Sequence, residues 1–503
     1  MQLTHTIRPL KPAPLTGPRV SAMCLAAALA STAIAQTQPL AADAKPSAVA
    51  ATPTTTVTPT TQAVSAGSEA KPADLAKPAV PAPTKKDINL DNPPAANSSA
   101  AGAVTGGQLV SDPRGRTTQA QDSATAAALG DLGIALLRSQ STAAGKGQVN
   151  GVASAVSLAS ALGLAHAGAA GSTANEIAGL LGPASAAARV YARDYPALLK
   201  KLTQPNSPLT MANRVWVDQR IAPALSVTYA NVVRQRFASE GALLDFTQPE
   251  PARKSINDWA AKQTAGLVKD LLPAGAVSPA TQMVLTNAVH FKSPWQQAFD
   301  PALTTPKPFF VDPKAPVNVP TMSQTMQVRS GVVDGATVLE LPFAKSLYTL
   351  LVAMPAEGQT LNAFENELSG VDMAEWQAQI KPVNCKVELP KFAIEPQSVS
   401  LKATLQGLGV QTLFGAQADF SPMLGAKGKG VVVDNVYQSA GITIDESGGE
   451  AVAATAVVMV SKSLAGPVAP SCLVNRPFVF AVVHKATGTP VFMGKIANPG
   501  AAR

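Results

Sequence analysis

The stretch Ile444-Asp445-Glu446-Ser447-Gly448-Gly449-Glu450-Ala451-Val452-Ala453-Ala454-Thr455-Ala456 is the most informative in the chain. It closes a β-prone run with an acidic, double-glycine hinge and continues in small residues. Val457–Val460, Lys462-Ser463 and a tail containing Gly and Pro follow. For a loop this is an unusual composition, because nothing in it resists joining a sheet. Gly449, Ala451, Ala453 and Thr455 share one face at period two, and all are small. They suit entry between two existing strands without displacing a core, with Glu450 turned to solvent.

Outward from this stretch, strand signals dominate the second half. Met283–Phe291, Val338–Leu341, Tyr348–Met354, Cys385–Leu389, Gly430–Ile444, Phe478–His484 and Val491–Lys495 all read as strands. Helical spacing belongs to the first half. Leu129, Leu132, Leu136 and Leu137 form a stripe, and Ser154–Gly168 reads as a small-residue helix. Thr173-Ala174-Asn175-Glu176 predicts a capping box that opens Ile177–Leu181. Ser255–Leu272 reads as amphipathic, with Ile256, Trp259, Leu267 and Leu271 on the apolar side. Helices early and long strands late predict an α+β domain built round large sheets.

Five runs within this domain resemble the serpins, inhibitors of serine proteases that trap their targets by loop insertion. Ser154-Ala155-Val156-Ser157 resembles the segment beneath the family's central sheet. Thr286-Asn287-Ala288-Val289-His290-Phe291-Lys292-Ser293-Pro294-Trp295 is similar to its third strand and the tryptophan above it. Leu389-Pro390-Lys391-Phe392 matches a further run. Asn475-Arg476-Pro477-Phe478-Val479-Phe480 and Phe492-Met493-Gly494-Lys495 are similar to the C-terminal signature. They occur in the family's order and at its spacing.

The resemblance implies a serpin fold, with helices packed around three β-sheets and an exposed reactive-centre loop. It implies a loop hinge at Glu446, Gly448, Gly449, Glu450, Ala451, Ala453, Ala454 and Thr455. The reactive bond then falls at Lys462-Ser463, which suits a trypsin-like partner with an acidic specificity pocket. Ser154, Ser157, Asn287, Trp295 and Gln438 are implied at the sheet opening, Gln438 where many members carry histidine. Such a protein needs no catalytic residue of its own. The target's serine attacks the loop, which then enters the sheet as a new strand. Length agrees with this reading, independently of the resemblance. Glu446 to Lys462 spans roughly 53 Å as a strand, against a diameter of about 54 Å for a 378-residue domain.

Two departures leave alternatives open. Gly449 stands where threonine is usual, and the Ser463–Pro477 segment is longer than is common. A shifted bond would favour elastase- or subtilisin-like targets. A non-inhibitory serpin-like binding protein, or a mere protease substrate, is the other alternative. Cys385 and Cys472 lie on strands expected to be neighbours and can form a disulfide in an oxidising compartment; two buried free thiols are the competing state.

The rest of the chain is unlike this domain. The 14 Phe, 5 Tyr and 4 Trp of the 503 residues all fall at or after Tyr191. Residues 1–35 carry Arg8, Lys11 and Arg19 without an acid, then an apolar run ending in Ala33-Ile34-Ala35. That pattern predicts a signal peptide and an exported protein, extracellular or periplasmic. Residues 36–125 are rich in Ala, Pro and Thr, too poor in bulky apolar groups to offset chain entropy, and read as a disordered linker. The folded domain is expected over 126–503.

Composition excludes several function classes. Forty Lys and Arg against 32 Asp and Glu give a net charge of +8 that is dispersed, so nucleic-acid binding is not indicated. Three Cys and four His leave no zinc array, and neither an H-E-x-x-H nor a G-x-S-x-G motif occurs. His166, His290 and His484 sit in apolar contexts typical of core histidines. The expectation is a monomer that is not an enzyme, with no cofactor, no metal and no membrane span.

Overall fold

Leucines at helical spacing build the first layer of the domain. The computed structural model describes residues 117–143, 149–182, 189–221, 225–449 and 469–501. Helix α1 (Thr117–Ala143) buries Leu129, Leu132, Leu136 and Leu137, as their spacing predicts. It begins inside the segment that composition assigns to the linker. Helix α2 (Ala155–Gly168) is buried almost throughout, serines included, because its small side chains let it run under a sheet.

Two helical expectations are corrected. Helix α3 spans Gly171–Gly179, so Thr173 and Glu176 lie inside it and form no capping box. Thr173 Oγ1 instead accepts from Asp419 N, and Glu176 Oε2 accepts from the backbone of Gln411 and Thr412. Tertiary partners outcompeted the local cap. Helices α4 (Tyr195–Leu202) and α5 (Val227–Phe237) follow, then α6 (Pro249–Gln263). The amphipathic pattern continues to Leu272, but the helix stops at Gln263. Ala265 and Gly266 take positive φ there, and Leu267 is left 37% exposed. Helices α7 (Leu361–Glu367) and α8 (Asp372–Gln379) lie between later strands.

The strands in chain order are β1 (Gly151–Ala153), β2 (Leu209–Asp218), β3 (Glu240–Leu244), β4 (Met283–Phe291), β5 (Ser293–Pro294) and β6 (Thr305–Asp312). Then come β7 (Ala315–Val333), β8 (Ala336–Pro342), β9 (Tyr348–Met354), β10 (Lys381–Pro390) and β11 (Phe392–Ser400). The last are β12 (Asn435–Ile444), β13 (Gly448–Gly449), β14 (Ser471–Leu473), β15 (Phe478–His484) and β16 (Thr489–Ile496). One sheet runs β3-β2-β4-β12 with β11 on the far side of β12, and carries β13 and β5 at one end. The other runs β1-β16-β15-β9-β8-β7-β10-β14, with β6 on β7.

Three sheets were expected, and the hydrogen bonds join two of them. The cause is β7, 19 residues long: Thr321–Ser330 pairs with β10, while Arg329–Val333 pairs with β8. One core fills the space between the sheets and α1 and α2. A smaller one lies under α6, where Ile256 and Ala260 pack on Trp216, Val284, Ala288 and Tyr437. The first sheet is thus covered on both faces. Lys495 of β16 and Glu365 of α7 form a fully buried ion pair at 2.7 Å, which ties the second sheet to that helix. Among the described residues no helix is long and apolar enough to cross a membrane, and no cluster of three metal-ligating side chains occurs.

Candidate functional site

The site is assembled around the seam between β4 and β12. These neighbours run parallel, pairing Asn435–Ala440 with Val284–Val289. A parallel ladder is slightly the weaker kind per residue. Above Ala440 the two strands no longer pair with each other, although β12 continues to Ile444 and β4 to Phe291. In the mouth so formed lies β13. Gly449 pairs with Ile444 on one side and with Ser293 on the other, antiparallel to both.

Side chains on the α2 side of the sheet clasp the seam below the mouth. Gln438 of β12 stands opposite Asn287 of β4, and its Nε2 donates to Asn287 Oδ1 at 2.7 Å and to Ser154 O at 3.0 Å. Asn287 Nδ2 donates to Ser157 Oγ and to Asn213 Oδ1 of β2. Ser154 caps α2 by accepting from Ser157 N, and its hydroxyl donates to Val491 O at 2.7 Å. Ser154, Ser157, Asn287 and Gln438 are all buried, so each broken bond here would strand a polar group away from water. The four residues that the sequence placed at the sheet opening meet as one network. Asn213 completes it and was missed; an amide within a strand that otherwise alternates apolar residues was its only sequence signal.

Trp295, the fifth, lies elsewhere, at the mouth. Its ring stacks on Phe343 at 4.5 Å, its Nε1 donates to Asp445 O at 2.8 Å, and its backbone N donates to Ser447 O at 3.0 Å. It therefore holds the turn that returns the chain from β12 into β13. Asp445 shapes that turn, its Oδ1 accepting from Ser447 N at 2.8 Å. Gly448 adopts φ +143°, and a Cβ there would stand 2.3 Å from Ser293 O, so only glycine fits. A Cβ at Gly449 would lie 3.1 Å from the Phe291 ring, which leaves little room for the more usual threonine.

Glu446 anchors the turn from β12 into β13. Its carboxylate accepts from Thr304 Oγ1 at 2.7 Å and pairs with Lys391 Nζ at 2.7 Å, while its carbonyl accepts from Phe299 N. Burial alone would raise this carboxyl. The Lys391 ammonium and the Thr304 hydroxyl outweigh it and hold the carboxyl below its ordinary value. Lys391 belongs to the Leu-Pro-Lys-Phe run that the sequence singled out without a role; Thr304 carried no signal.

Glu450, Ala451, Ala453, Ala454, Thr455, Lys462 and Ser463 lie outside the described residues. The chain is described again from Ala469, and β14 pairs in parallel with β10, Val387 opposite Cys472. Cys385 and Cys472 are disulfide-bonded, with Cα atoms 5.9 Å apart, so the far end of the connecting segment is fixed to the second sheet. Among the described histidines, His290 lies on β4 itself, next to Phe291, while His484 and His166 sit in packed surroundings on other elements. His484 bonds Thr487 through Nδ1 at 2.9 Å, and His166 sits against the Tyr191 ring. Burial, and Arg236 beside it, lower His166 to about 4.

A sheet parted at one end by the first residues of a long connection, whose other end is pinned to a second sheet, defines a loop-bridged two-sheet scaffold. A family model described as serpin (serine protease inhibitor) matches residues 127–499, and the chain belongs to the serpin family. Mouse antithrombin-III is 32% identical over 304 residues, which cover 60% of this chain and 64% of that protein. Serine protease inhibitor 42Dd of Drosophila melanogaster is 32% identical over 357 residues, covering 70% and 91%. Among solved structures, human thyroxine-binding globulin complexed with thyroxine superposes with a TM-score of 0.68 at 27% identity, covering 76% of this chain and all of that one.

Proposed function

We propose that the chain is an exported inhibitor of serine proteases that presents residues 450–463 as bait and is cleaved at Lys462-Ser463 by a trypsin-like enzyme. The protease serine attacks the Lys462 carbonyl, the bond to Ser463 breaks, and its amine leaves as an ester forms between Lys462 and the protease. The freed loop then enters the seam and carries the esterified protease with it before water can deacylate it.

The observation that carries this reading is the parted seam with Gly448-Gly449 already seated in its mouth. A strand continuing from Gly449 would lie antiparallel to both β4 and β12, so insertion exchanges one parallel ladder for two antiparallel ones. At period two, Ala451, Ala453 and Thr455 would follow Gly449 onto the face occupied by Phe291. That face is packed against the main core, and small side chains are what it admits.

The test is an equimolar mixture with trypsin on a denaturing gel. A band at the summed mass that survives boiling is expected, with the Lys462-Ser463 cut located by mass spectrometry of the released peptide. Clean cleavage with active trypsin left over would overturn trapping. The likeness to thyroxine-binding globulin favours a second reading, a binding protein that does not inhibit. Thermal melting separates the two: nicking the loop should raise the melting temperature if the loop inserts and leave it unchanged otherwise.

A further inference from the structure

A cavity of about 490 Å³ lies away from the seam, between β6, the turn from β9 to α7, and the turn from β14 to β15. Its size is that of a small-molecule site. Phe310, Val311, Pro355, Leu361 and Pro477 give it apolar walls, and Arg476 is the cation in its lining. Phe310 remains 36% exposed, a large aromatic only partly covered by the protein itself.

Arg476 is underused. Its Nη2 donates to Pro355 O at 2.9 Å, its Nε is buried without a partner, and no carboxylate pairs with it among the described residues. A guanidinium carries five donors in a planar fork that matches a carboxylate, and a donor left unmatched away from water, as Arg476 Nε is, costs free energy. The exposed Glu357 in the same lining disfavours ligands of higher negative charge. One cation within apolar walls fits one anionic group on a flat apolar body.

We propose that this cavity binds a small aromatic monocarboxylate, held through Arg476 with its ring system against Phe310 and the prolines. Asn475, in the same wall, accepts from Phe310 N at 2.8 Å and is two residues beyond β14. The ligand would therefore rest on the segment that fixes the far end of the bait loop. The site is independent of whether that loop traps proteases.

Calorimetric titration of the full chain without protease tests the site, with 1-naphthoate as the probe and neutral 1-naphthalenemethanol as its control. The acid should bind at least about tenfold more tightly than the alcohol. Arg476→Gln should erase the difference. Because Arg476 also packs structurally and this variant can fail to fold, Ala356→Trp is the second arm. Ala356 lines the cavity at a half-exposed turn position, so a bulky ring there should abolish binding, and the melting temperature of the variant shows that it is folded. No binding of 1-naphthoate at millimolar concentration, equal affinity for acid and alcohol, or unaltered binding in Ala356→Trp would each overturn the proposal.

Discussion

Gln438 and Asn287 stand opposite each other on the two parallel strands at the centre of the sheet, and Gln438 Nε2 donates to Asn287 Oδ1 at 2.7 Å. The bond crosses the seam that an entering strand would have to part. Gln438→Leu leaves Asn287 Oδ1 and Ser154 O short of a donor in a buried site. A loss of about 1–3 kcal/mol is expected in urea unfolding of the intact protein. Loop-nicked protein should lose far less if insertion parts the two strands. Equal losses in both forms would show that nicking does not part β4 from β12.

The Glu446 hinge predicts a dependence on pH. Its folded carboxyl titrates below the ordinary 4.5, so the stabilisation it lends is complete above that value and is lost as pH falls through the lowered one. Hydrogen-exchange protection of the Ser447, Gly448 and Gly449 amides should therefore be full at neutral pH and fall progressively as the solution is acidified below 4.5. In Glu446→Gln the same amides should be less protected at neutral pH and change little on acidification. Identical profiles for the two proteins would remove Glu446 as the anchor.

The disulfide makes a separate claim on the other end of the loop. Cys385 and Cys472 are 87 positions apart in sequence, a separation whose closure is worth about 4–5 kcal/mol in the chain-entropy model. Neither should take up an alkylating label in the folded, unreduced chain, and reduction should lower the melting temperature by several degrees. Labelling of both thiols without reductant would exclude the bridge.

Lys462→Ala tests the placement of the bond. Removing the cation takes away the group that an acidic specificity pocket recognises, so action on trypsin should fall by orders of magnitude, and elastase-like enzymes become candidates. Trypsin inhibition at the parent rate would put the bond at another residue. Inhibition rates against both proteases, measured side by side, decide it.

How much of this was legible depended on the range of the interaction. Met283–Phe291, Tyr348–Met354 and Phe478–His484 were readable to the residue, since buried strands announce themselves as predominantly apolar, β-prone runs between turn signals, even with Thr286, Asn287 and His290 inside the first. The ends of α3 and α6 were not. Thr173 and Glu176 form a good local cap on paper, but partners more than 200 residues away claimed both. Gln438 and Asn287 were placed together through resemblance, and their partner Asn213 was not, because one amide in a strand has no pattern. Lys391 showed the converse: a quoted run whose purpose emerged only when Glu446 was found beside it.

The decisive test of insertion is a charge placed on the face that would enter the sheet. Gly449 looks onto Phe291, so residues at even steps beyond it, Ala451 and Ala453, would face the main core if the strand lengthened. Ala451→Glu or Ala453→Arg would bury an unpaired charge there, at a cost of several kcal/mol against an insertion that must outrun deacylation. Cleavage at Lys462-Ser463 should continue at about the parent rate, because the bait itself is unchanged. The trapped complex should give way to released protease and nicked chain, and the melting temperature should no longer rise on nicking. In this register residue 450 would face the opposite side, so Glu450→Lys should leave trapping intact and serves as the control. If Ala453→Arg still yields the boiling-resistant band, the loop does not enter between β4 and β12.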